Sequence, residues 1–137
     1  ITSIPSNCFY RCRSLEGLTL HDRITSIGNN AFDESYSLTE LSFKTSSTLQ
    51  NIGECAFDWC RILKSVTIPE GVTRIENRVF SWCDNLESVS LPESITSIGE
   101  DAFEMCVKLK SVNIPKGVTS IEKRAFATCN SLEFQKV

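Results

Sequence analysis

The sequence predicts a right-handed repeat solenoid, with one parallel β-sheet along one side and short helical or 3-10 turns opposite. Three observations predict it. Phe9, Phe32, Phe57, Phe80, Phe103 and Phe126 recur at intervals of 23, 25, 23, 23 and 23 residues. Other apolar columns keep step: Ile4, Ile27, Ile52, Ile75, Ile98 and Ile121 five residues before each Phe, and Leu15, Leu38, Leu63, Leu86, Leu109 and Leu132 six after it. Finally, each unit is too short to bury its own apolar face, so neighbours must stack into one continuous core. The repeats run 1–23, 24–48, 49–71, 72–94, 95–117 and 118–137.

Each unit opens on an extended piece such as Val72-Thr73-Arg74-Ile75, where apolar and polar residues alternate. A short turn follows around Phe80 to Cys83. At about 100° per residue, the Ala before Phe, the Phe and the Cys three later share one arc. Ala56, Phe57 and Cys60 are therefore expected to be buried, and Trp59 to lean toward solvent. The strand comes next, as in Leu63-Lys64-Ser65-Val66-Thr67-Ile68-Pro69. Its apolar columns are Leu18, Leu41, Val66, Val89 and Val112, broken by Gln135, and Leu20, Phe43, Ile68, Leu91, Ile114 and Val137. Pro69, Pro92 and Pro115 end their strands, having no N–H for a ladder. Six stacked strands would span roughly 24 Å.

Composition narrows the function classes. The chain has 137 residues, a net charge of −3 and 23% charged residues. No basic patch suggests nucleic acid. No apolar run approaches the roughly 18 residues that span a bilayer. The opening Ile1-Thr2-Ser3-Ile4-Pro5 has no signal-peptide character. Neither end carries a polar cap, so a piece of a longer array, or ends that meet a partner in an end-to-end dimer, is expected.

The pattern resembles the BspA-like, or Treponema pallidum-type, leucine-rich repeats. Leu109-Lys110-Ser111-Val112-Asn113-Ile114-Pro115 and Ile95-Thr96-Ser97-Ile98-Gly99-Glu100-Asp101-Ala102-Phe103-Glu104-Met105-Cys106 carry the likeness, which extends over the whole chain. The resemblance implies a cell-surface or secreted adhesion module that binds host matrix or plasma proteins. It supplies no catalytic residues and no cofactor. Two departures stand out: two extra residues around Lys44-Thr45-Ser46-Ser47-Thr48, and Pro5, Glu76 and Glu122 where the pattern has Gly.

Candidate site residues can each be weighed. Cys12, Cys60, Cys83, Cys106 and Cys129 form a column, interrupted by Ser35, of small residues suited to a tight stack. Cys-x-x-Cys spacing is absent, so no metal is expected. Cys55 stands outside the column and is a candidate exposed thiol. His21 is the one histidine, with no evident partner for base catalysis, so no enzyme is expected. Thr19, Ser42, Thr67, Ser90 and Asn113 line the outward face of the sheet, as plain exposed-strand residues or as a concave ligand face open to protein or glycan. Trp59 and Trp82 share a column with Met105, and Tyr36 lies two columns over. Those rings either cover the core or form an apolar binding patch. Lys64, Glu87, Lys110 and Glu133 alternate in sign and are assigned weak surface pairs. The leading function is macromolecule binding; a structural spacer and an intracellular scaffold are the alternatives.

Overall fold

The structure, a computed structural model, describes residues 2–133. The expected column positions Gln135 and Val137 lie outside them. Each of the first five coils contributes two strands and the sixth one among the described residues. One set comprises β1 (Ser3–Ile4), β3 (Ser26–Ile27), β5 (Asn51–Ile52), β7 (Arg74–Ile75), β9 (Ser97–Ile98) and β11 (Ser120–Ile121). The other comprises β2 (Gly17–Leu20), β4 (Glu40–Phe43), β6 (Ser65–Thr67), β8 (Ser88–Ser90) and β10 (Ser111–Val112). All pairings are parallel and join equivalent residues of successive coils, as Val66 with Val89 and Ile75 with Ile98. The single expected sheet is therefore corrected to two rows of strands, each interrupted once to give four short sheets, because the first extended piece of each unit pairs as well as the second.

The expected helical turns are also corrected, since no helix forms among the described residues. The Phe segment is instead a run of overlapping β-turns. In the third coil the N–H groups of Ala56, Asp58 and Cys60 bond three residues back, to Gly53, Cys55 and Phe57. The alternate N–H groups, of Cys55, Phe57 and Trp59, cross to the carbonyls of Asn77, Val79 and Ser81 in the next coil. A helix would keep all of these bonds to itself and would need about 10 Å of width. Coils joined on their other sides at the strand step of roughly 4.8 Å leave no such room. The turns require a left-handed backbone two residues before and two after each Phe. Twelve non-glycine residues take it, with φ of 56–63°, among them Cys55, Trp59, Arg78 and Trp82. Such conformations cost about 1–3 kcal/mol each and persist where surrounding bonds over-determine them. Here the inter-coil N–H···O bonds do so.

The core is a stack of columns. Phe32, Phe57, Phe80 and Phe103 are fully buried, and successive rings lie parallel at 5.2–5.6 Å. Ala56, Phe57 and Cys60 are buried and Trp59 is half-exposed, as expected, although turns rather than a helix place them. The cysteine column has a structural cause. Each thiol of Cys60, Cys83, Cys106 and Cys129 donates to the Phe carbonyl of the preceding coil, at 3.1–3.4 Å. The hydroxyl of Ser35, which breaks the column, is buried without a partner.

One seam interrupts both rows of strands. β4 does not pair with β6, and β5 does not pair with β7. The chain runs nine positions from Phe43 to Ile52 but seven from Ile68 to Ile75, so the longer loop faces a shorter one across the gap. Two bonds tie that loop back to the first coil. Ser46 Oγ donates to Asp22 Oδ2 at 3.0 Å and Thr48 Oγ1 to the Asp22 carbonyl at 2.6 Å. The core stays continuous beneath the seam, where Leu49 and Val72 are buried.

Candidate functional site

The turn side carries the most distinctive side chains. Trp59 and Trp82 stack face to face, with centroids 4.5 Å apart and planes 3° from parallel. Both are half-exposed, and Met105 continues their column with similar exposure. The pair therefore does both things the sequence left open: each indole covers its neighbour while part of each faces solvent. Tyr36 is half-buried under Arg13, whose guanidinium carbon lies 5.5 Å from the ring centroid.

Carboxylates flank the indoles. Asp58, adjoining Trp59, is buried and held by Arg78 at 3.2 Å, yet its second oxygen has no partner. Burial pushes its pKa up to about 7, against the pull of Arg78 and with further help from Asp33. Burial likewise raises Asp33 to about 6, with Glu34 adding to it. Both carboxyls thus titrate in the range where small pH changes matter. Cys55 lies beside them half-buried, and burial raises its pKa, followed by Asp58. That corrects the expectation of an exposed reactive thiol, because nucleophilic cysteines need the opposite shift.

The strand side divides the hydroxyl candidates. Thr19, Ser42, Thr67 and Ser90 are exposed, and Thr19 and Ser42 share a 3.0 Å hydrogen bond across coils. Asn113 is engaged elsewhere. Its amide accepts from the Leu91 N–H and donates to the Leu91 carbonyl, both at 2.9 Å. Ser42 and Thr67 both border the seam, where a cleft of about 390 Å³ is lined also by Phe43, Lys44, Val66 and Pro69. A second cleft, of about 440 Å³, opens over the seam in the other sheet. Asn29, Gln50, Asn51, Glu54, Arg74 and Glu76 line it. Sequence reasoning missed these residues. The signal was present: the other coils place Thr-Ser where the third has Gln50-Asn51, and the fourth puts Arg74 in the Ser column.

His21 is exposed, its Nδ1 accepting the Arg23 N–H at 3.2 Å. The alternating Lys64, Glu87, Lys110 and Glu133 make no ion pair among the described residues. The pairs lie elsewhere, as Arg11–Glu34 at 2.9 Å, Arg61–Asp84 at 3.2 Å and Arg124–Asp101 at 2.9 Å. No helix is long and apolar enough to cross a membrane among the described residues.

In-register coils, buried Leu and Phe columns and parallel ladders define the class: a leucine-rich repeat solenoid. The family model of the BspA type leucine rich repeat region matches residues 2–133 in six copies, and the chain belongs to that family. It is similar to the T. pallidum leucine-rich repeat protein at 32% identity and a TM-score of 0.92, over 98% of this chain and 62% of that one. A leucine-rich cell surface protein from Faecalibacterium prausnitzii is 31% identical with a TM-score of 0.70, over 97% and 42%. A leucine-rich repeat protein from Eubacterium ventriosum is 27% identical with a TM-score of 0.87, over 100% and 36%. The chain thus spans less than two thirds of each of these proteins. Among curated proteins, none matches it. Proteins of this repeat class are generally protein-interaction modules.

Proposed function

We propose that this right-handed coil of repeats is an adhesion-type module of a cell-surface or secreted protein, and that it binds a host matrix or plasma protein. The Trp59/Trp82 stack carries the reading. Two indoles held parallel at 4.5 Å, partly open to solvent, form a rigid apolar platform that loses little entropy on binding. Tryptophan is also the residue type most enriched at binding hot spots. Met105 lengthens the platform and Tyr36 borders it, while Ser42 and Thr67 on the strand side are the competing location. The cell-surface description of the F. prausnitzii relative supports the setting.

The test is a screen of the immobilised chain against matrix and plasma proteins, run beside Trp59→Ala/Trp82→Ala. A true partner should bind saturably and lose roughly 30-fold or more in the variant, as loss of a hot spot of about 2 kcal/mol implies. A variant that keeps the parent's circular dichroism and binds equally well would move the site to the strand side.

A further inference from the structure

We propose that the 440 Å³ cleft over the seam is a saccharide site taking a neutral, hydroxyl-rich sugar ring. Its volume lies within the roughly 300–1,000 Å³ typical of small-molecule sites. Its lining is more polar than that of most such sites, because planar polar groups surround Ile27, Ile52 and Gly53. Asn29, Gln50 and Asn51 offer amides, Arg74 a guanidinium, and Glu54 and Glu76 carboxylates. Each of these can engage two adjacent hydroxyls at once, by donating, by accepting or by both.

The groups are available and partly fixed. Asn29 Oδ1 accepts the Glu54 N–H at 2.9 Å, which orients the amide and leaves its NH2 to donate. Asn29 packs so closely on Gly53 that a Cβ there would sit 2.5 Å from Oδ1. Arg74 Nε lies 3.4 Å from Glu76 Oε1, a partly exposed ion pair on the lining of the cleft. The side chains of Gln50 and Asn51 have no hydrogen-bond partner among the described residues.

Chemistry selects the ligand class. Two carboxylates against one guanidinium disfavour a phosphate or an acidic sugar. An apolar ligand would meet only Ile27, Ile52 and Gly53 and would desolvate the amides, carboxylates and guanidinium without pairing them. A peptide strand would want a longer free edge than β5 and β7 supply, each being two residues long. A ring bearing several hydroxyls satisfies every group present. Repeat position supports the same residues: at the Asn51 and Arg74 column, β1, β3, β9 and β11 all carry serine.

The test is NMR titration of the 15N-labelled chain with maltose, lactose, cellobiose and chitobiose at millimolar concentrations. At least one sugar should shift the side-chain amide signals of Asn29, Gln50 and Asn51 saturably while the Asn113 amide stays still. Asn51→Ser/Arg74→Ser restores the residue the other coils carry, so the fold should persist. It should weaken the response about tenfold, as loss of one or two hydrogen bonds implies. Trp59→Ala/Trp82→Ala should leave it unchanged, which separates this site from the protein-binding platform. The proposal is overturned if no sugar moves those amides, or if the shifts survive the serine substitutions. It is equally overturned if unstructured peptides move the amides and the sugars do not.

Discussion

Phe80→Ala removes the ring at the centre of the stack. Phe80 is fully buried and lies against Phe57 and Phe103, both at 5.6 Å. Truncating a buried Phe costs about 3–5 kcal/mol. Two ring contacts, each worth about 0.5–1.5 kcal/mol beyond area, place this site at the upper end of that range. Phe9 occupies the same column in the first coil but is 37% exposed and has one described ring neighbour, Phe32 at 5.2 Å. Phe9→Ala should cost about 1–2 kcal/mol, because much of the ring already meets water. Urea denaturation followed by circular dichroism reads both, through the shift in midpoint at constant slope. A domain of this kind holds about 5–15 kcal/mol in total, so Phe80→Leu serves as a milder variant if the alanine protein does not fold. Equal costs for Phe9→Ala and Phe80→Ala would refute the account of a core built by stacking.

Two further outcomes follow from the geometry. Asp58 has a folded pKa of about 7, above its ordinary value of 3.8, so the folded state holds the proton more tightly than the unfolded chain. Its contribution to stability is full below about pH 4 and is lost as pH rises through 7; a rise of this size corresponds to about 4 kcal/mol, which partial solvent screening reduces to on the order of 2 kcal/mol. The parent should therefore lose more melting temperature between pH 4.5 and 8 than Asp58→Asn does; matching pH profiles for the two proteins would count against a raised Asp58. Gly99→Ala should cost about 1–3 kcal/mol, because its Cβ would stand 2.7 Å from the Asn77 backbone nitrogen and 2.6 Å from Asn77 Oδ1. Gly17→Ala, with open space around it, should be neutral or slightly stabilising, and thermal melts that rank the two the other way round would contradict the close approach of coils.

The columns made the coil legible from sequence, because stacking demands the same residue type at the same place in each copy. The turns were not legible. A helix and a run of β-turns both put Ala56, Phe57 and Cys60 inside and Trp59 outside. What separates them is where the alternate N–H groups bond, and no side chain reports that. Asn7 and Asn30, tolerant of a left-handed backbone, hinted at it, but Arg78 and Arg124 at the equivalent positions hid the hint, as did the tryptophans two residues after Phe. The two-residue insertion was visible. Its consequence was not, because Gln50, Asn51 and Arg74 become neighbours only where the sheets part.

The proposed recognition site is the indole platform, not the hydroxyl strand face. For a protein captured in the screen, the direct measurement is its affinity for Trp59→Ala/Trp82→Ala beside its affinity for Ser42→Ala/Thr67→Ala. The expected result is a loss of roughly 30-fold or more in the first and less than about threefold in the second. The reverse ranking, with both variants folded, would contradict it.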